Sequence, residues 1–247
     1  MTTEAPHAEE RDPSQGMQFE NIRQQNDAYG TGMWVFLATE VMFFGGLFLI
    51  YTIARLRDPQ AFADAHHHLN VLLGAINTFV LLTSSLFMAL CVRAAQLKSR
   101  RGQVLWMSLT MACALTFLVI KGFEWGHKFE EHLVPGPGFE YAGHVVHEPG
   151  LAMHPWGEAF HGPLKFAPGG IPAARAQAFF ALYFAMTGLH GIHVVVGLLI
   201  MVAFVILIQR RHPTLQYFMP VEMLGLYWHF VDIVWIFLFP LFYLIPR

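Results

Sequence analysis

The sequence predicts an all-α protein: a polytopic transmembrane helix bundle with five spanning helices. Three observations carry that expectation. Of 247 residues, 55% are hydrophobic and only 13% are charged, about half the charged share of a soluble domain. Five stretches reach the roughly 20 mainly apolar residues that a bilayer-spanning helix needs. All but one of the connections between them are short. The same composition excludes a disordered chain, a fibrous repeat and a nucleic-acid binder. Five such runs in so short a chain leave no surface for a soluble globule. The net charge of −2 points to no electrostatic partner. The two cysteines, Cys91 and Cys113, lie inside apolar runs and read as small buried residues, not as a disulfide or a metal knuckle.

Residues 1–30 are polar and mildly acidic, with no apolar core, so they read as a tail and not as a cleavable signal. The expected transmembrane domain is 31–247. Span one, Thr31–Ala54, holds one charge, Glu40. Span two, Leu69–Val92, holds none. Span three is uncharged over Gln103–Ile120 and runs on through Lys121 to Glu124. Span four, Ala176–Ile208, has no charge in 33 positions but carries His190 and His193. Its rise of about 50 Å requires tilt or projection beyond the hydrocarbon. Span five, Met223–Pro246, holds Asp232. The long connection, 126–175, is rich in Gly, Pro and His, with turn-forming runs at Pro135–Gly138 and Pro168–Pro172. A loop of this length points to a functional or partner-covering role.

Basic residues in short loops set orientation. Arg93, Lys98, Arg100 and Arg101 after span two, with Arg210 and Arg211 after span four, mark the cytoplasmic side. Arg55 and Arg57 are offset by Asp58 and Asp64, and the long loop carries five Glu. The N-terminus is therefore expected inside, and the C-terminus and the 126–175 loop outside.

A charge at membrane depth costs about 2.5–3.5 kcal/mol on insertion scales, so such residues face protein or a wet cavity. Glu40 is a candidate for a lipid headgroup or for proton exchange. The bland alternative is a hydrogen bond to a neighbouring helix. His190 and His193, at i,i+3, share one helix face, flanked by Gly188, Gly191 and Gly197, which permit close helix approach. Interhelical hydrogen bonding is their simplest use. As haem or iron ligands they would need partners from other helices. His229 and Asp232 are again i,i+3, which suggests a bond within one helix. Trp228 and Trp235, seven apart, read as packing or interfacial anchors. Glu124 and His127 form the Glu-x-x-His pattern of di-iron bundles, but no second pair lies in a span. A surface helix end is the expected setting. The loop histidines 127, 132, 144, 147, 154 and 161 and the run His66–His68 match no metal-ligand spacing. No metal site is expected, and no catalytic residue.

Five segments in order resemble subunit III of the haem-copper oxidases. Gly32–Gly45 (GMWVFLATEVMFFG) is similar to that family's helix with a buried carboxylate, here Glu40. Span two carries Asn77-Thr78 and Ser84-Ser85, similar to the family's Asn-Thr…Ser pattern. Span three ends KGFEW, with Glu124 in the family's acidic place. Span four contains TGLHGIHV, which resembles the paired-His helix, and span five contains GLYWHFVDIVWIF, with Trp228, His229, Asp232 and Trp235, similar to the closing helix. The match covers roughly Thr31–Ile245 and resembles the five-helix bacterial form, which quinol oxidases share and a relative of which accompanies some nitric oxide reductases.

The resemblance implies a multi-pass protein of the bacterial cytoplasmic membrane that binds no haem or copper itself. Those centres would sit in partner subunits I and II. It implies packing on subunit I, support of proton uptake, and structural phospholipid between the helices. Glu40, His190 and His193 are then the candidates for a lipid-lined or proton-related interior, with His229 and Asp232 as a supporting polar pair. The 126–175 loop, with Trp156, Phe160 and Phe166, would face subunit II, a bound cytochrome c or another supercomplex partner. Two other classes stay open on the residues alone: a stand-alone membrane metalloenzyme using the histidines, and a small transporter using Glu40.

Overall fold

The first four α-helices of this chain start where a side chain can take up free N–H groups of the first turn. A computed structural model describes residues 18–136, 139, 173–212 and 218–245. Asn21 accepts the Gln24 N–H at 2.8 Å and opens α1 (Ile22–Arg57), well ahead of the apolar run. Asp58 ends α1 and, with Pro59 at the first helical position, caps the short α2 (Pro59–Ala65). A single 3₁₀ turn, His66–His68, follows. Asn70 accepts from Leu72 and Leu73 N–H to start α3 (Val71–Gln96). Ser99 caps α4 (Arg100–Glu130), and α5 (Ala173–Gln209) and α6 (Met219–Tyr243) complete the order.

Five of these helices are long and apolar enough to cross a membrane. Helix α4 extends six residues past Glu124, so the first part of the expected loop is helical. Residues 140–172, with Trp156, Phe160, Phe166 and four of the loop histidines, lie outside the described residues. Helix α2 was not expected. Seven residues of mixed composition show no periodicity, yet Ala61, Phe62 and Ala65 are buried, and the helix packs on α5.

Helices α3 to α6 form a ring in which each packs on the next and α6 returns to α3. Aromatic residues fill it. The Trp235 ring meets Phe117 edge-on at 4.8 Å, and Phe179, Tyr183 and Phe242 interlock near the end of α6. Helix α1 lies outside the ring in the groove between α5 and α6. It runs alongside α6 in the same direction, through Phe36–Tyr227, Phe44–Phe230 and Phe48–Phe237 contacts. The Tyr51 hydroxyl donates to the Leu241 carbonyl, one of the last-turn acceptors that α6 cannot satisfy itself. Arg175 and Asp58 pair across the ends of α5 and α1, with Nη2 2.6 Å from Oδ1. The outward face of α1 is apolar and exposed at Trp34, Val41, Met42 and Leu49, as a lipid- or partner-facing surface requires.

The turn between α3 and α4 closes through Lys98 at φ 54°, a left-handed conformation that favours glycine. Ser99 N–H returns to the Ala94 carbonyl at 2.9 Å. Lys98→Gly is expected to stabilise the chain by up to about 1 kcal/mol. Thermal unfolding of the solubilised protein checks this, and a lowered midpoint would refute it.

Candidate functional site

The polar residues of the spans fall into three separate groups. The first joins α1 to α5. Helix α5 turns His193 outward from the ring, where its Nε2 lies 3.1 Å from Glu40 Oε2. The Leu189 carbonyl engages Nδ1 at 2.7 Å, which fixes the ring. Phe44 packs edge-on against the imidazole at 5.3 Å, and the Tyr227 hydroxyl donates to the His193 carbonyl. Both side chains keep 19% of their area exposed, so the pair sits at a seam that opens to lipid or a partner. His190, three residues earlier, faces the ring interior instead. The two histidines thus serve different surfaces.

The second group was not legible as a site. Lys121 and Glu124 are one turn apart on the inward face of α4, and both are buried, at 7% and 5%. Lys121 Nζ donates to Glu124 Oε2 at 3.0 Å, to Tyr183 OH at 3.0 Å and to Tyr243 OH at 2.9 Å. Both tyrosine hydroxyls in turn donate to Glu124 Oε1. The Trp235 ring lies 5.2 Å from the ammonium, within cation–π range. Glu124 is therefore not at a surface helix end, as its Glu-x-x-His setting suggested. The helix continues past it, and Tyr183 of α5 and Tyr243 of α6 cover it. His127 is the exposed member of that motif and lies near Glu130 and Glu131. At this end of α4, burial works against the charged form of Glu131. The Lys128 ammonium 2.6 Å away, with His127 beside it, nevertheless holds its carboxyl below the usual glutamate range.

The third group lies between α3 and α6. Trp228 Nε1 donates to Ser84 Oγ at 3.0 Å, and Trp235 Nε1 donates to Thr78 Oγ1 at 3.1 Å. The two tryptophans are core residues, buried to 1% exposure or less, and not interfacial anchors. His229 bonds through Nδ1 to Ser85 Oγ at 2.7 Å, so its partner is on α3. The expected His229–Asp232 pair within α6 does not form. Asp232 points inward and is buried, and neither carboxylate oxygen makes a hydrogen bond of full geometry. Ser85, already committed to His229, is the hydroxyl that also acts on it. Two of the three flanking glycines do permit close approach: a Cβ on Gly188 would lie 3.1 Å from Trp125, and one on Gly197 would lie 2.8 Å from Trp228. Gly191 faces open space. Among the described residues, no three His, Cys, Asp or Glu side chains converge to hold a metal ion.

Fold and polar groups together define a multi-pass helical membrane protein whose embedded acids and imidazoles bind mainly to neighbouring helices. The profile of the family described as cytochrome c oxidase subunit III matches residues 173–246, the two C-terminal helices. The probable cytochrome c oxidase subunit 3 of Nocardia farcinica is 31% identical over 221 residues, covering 87% of this chain and 86% of the relative. The quinol oxidase subunit 3 of Bacillus subtilis is 27% identical over 84% of this chain and 82% of its own length. The heme-copper oxidase subunit I+III of Aeropyrum pernix is 26% identical over 89% of this chain, but only 23% of that longer protein. The chain belongs to the cytochrome c oxidase subunit III family.

Proposed function

We propose that this chain is the non-catalytic third subunit of a haem-copper terminal oxidase, which stabilises subunit I, supports proton uptake and holds phospholipid. Redox centres belong to subunits I and II on this reading, and none to this chain. Family membership carries the proposal. The relative whose name joins subunits I and III in one polypeptide supports subunit I as the neighbour. The exposed apolar face of α1 offers area for it or for lipid. The N-terminus is inside the cell and the C-terminus outside, in the bacterial cytoplasmic membrane. The loop 126–175 on the outer face meets subunit II, cytochrome c or a supercomplex partner.

The half-open Glu40–His193 pair is the candidate for the lipid- or proton-related role. In the assembled oxidase, Glu40→Gln is expected to leave the haem spectrum unchanged, to lower the phospholipid retained on purification, and to hasten inactivation during turnover. Altered haem absorbance in an intact complex would overturn the non-catalytic reading. The second reading is the third subunit of a quinol oxidase, favoured by the Bacillus subtilis relative. Copper analysis of the purified complex separates the two, since a copper-bearing subunit II accompanies the cytochrome c form.

A further inference from the structure

Three side chains inside the α3–α6 ring carry polar atoms without a hydrogen bond of full geometry, although Ser85 acts on one of them, Asp232. They are Asn77 on α3 (Oδ1 and Nδ2), His190 on α5 (Nδ1 and Nε2) and Asp232 on α6 (Oδ1 and Oδ2). Their exposures are 0%, 1% and 3%. Two of them border the Trp235 indole, and the third adjoins its hydrogen-bond partner in sequence. Trp235 bonds to Thr78, the neighbour of Asn77, and its ring lies 5.1 Å from the His190 imidazole. Asp232 precedes it by one turn of α6. Phe117 of α4 closes the group, 5.6 Å from His190 and 4.8 Å from Trp235.

The surrounding hydroxyls are already engaged. Thr78 donates to the Gly74 carbonyl and accepts from Trp235. Ser84 donates to the Leu81 carbonyl and accepts from Trp228. Ser85 is bonded to His229, and Thr187 donates to the Tyr183 carbonyl. Tyr183 and Tyr243 are committed to Glu124. Buried polar groups almost always have a partner, and where protein supplies none, ordered water does.

We propose that Asn77, His190 and Asp232 form a buried water-binding site in the centre of the bundle. A buried water makes about three hydrogen bonds, so two waters would satisfy the six atoms. Along the bundle axis Asp232 lies about 4.5 Å from Trp235, the level of His190. Asn77 supplies both a donor and an acceptor, the imidazole one of each in its neutral form, and the carboxyl group acceptors. The site is distinct from the Glu40–His193 pair, whose groups bond to each other at the outer seam. It also lies one turn of α4 away from the Lys121 quartet, which is closed on itself.

A map of the purified complex containing this chain, at a resolution that shows ordered water, tests the proposal. Expected is density within about 3 Å of a His190 ring nitrogen and of Asn77 or Asp232. The three side chains bonded directly to one another, or no density between them, would overturn it. Radiolytic hydroxyl-radical labelling is the second measurement, because radicals form at bound water. Trp235 and Phe117, though buried, are expected to be labelled in the intact complex, and the label on Trp235 should fall severalfold in Asn77→Leu. An unlabelled Trp235 in the wild-type complex, or an unchanged label in an assembled Asn77→Leu complex, would sink it.

Discussion

Lys121→Ala is expected to destabilise the subunit by about 3–5 kcal/mol, the cost of removing one partner from a buried ion pair. The substitution strips Glu124 of its counter-ion at a site only 5% exposed, and it takes a donor from both tyrosine hydroxyls. The replacement of both charges tells the same story from the other side. Lys121→Met with Glu124→Leu removes the need for compensation and is expected to recover most of the loss, since well-packed apolar substitutes for buried ion pairs are often neutral or better. Unfolding of the solubilised chain, and retention of the subunit on the complex, measure both. A single variant as stable as the parent would mean that the quartet is not held by its charges.

Gly197→Val is expected to cost about 1–3 kcal/mol by overpacking and to loosen α5 from α6. A Cβ at 197 would stand 2.8 Å from the Trp228 ring and 3.1 Å from that of Tyr227. Neither ring is free to retreat. Trp228 is fully buried and tied to Ser84 through its indole nitrogen, while the Tyr227 hydroxyl is tied to the His193 carbonyl. The helices must therefore separate, which also disturbs the carbonyl side of His193. Gly191→Val, with nothing within 4 Å of the added Cβ, is the matched control and should be near neutral. The comparison is read in thermal midpoints. Equal shifts for the two variants would refute the packing explanation.

The five spans were legible because uninterrupted apolar runs admit no other structure at this chain length. Their ends were not, because a helix that leaves the hydrocarbon continues on capping and pairing in water, as α1 does back to Asn21 and α4 does forward to Glu130. The embedded polar residues stood out individually, since each is costly where it sits. Their pairings did not. The partner of His229 is 144 residues away on α3, and no spacing within α6 could reveal it. Glu40 and His193 were both singled out, but that they meet each other is a property of how α1 lies on α5. Glu124 was misjudged for a related reason. Its motif partner in sequence, His127, is exposed, whereas its neighbours in space are Tyr183 and Tyr243. One signal was present: Lys121 is one turn earlier, on the same face of a helix that could bury both charges only together.

The seating of α1 carries a consequence for how the protein is made. Its long-range partners are α5 and α6, both synthesised well after it, and the imidazole that meets Glu40 lies 153 residues downstream. Helix α1 therefore waits in the bilayer without the partner of its carboxyl until α5 has been synthesised. Seating of α1 is thus gated by α5 and α6: truncation after α4 leaves it only its contacts with α2, and quality control would meet it as an orphan.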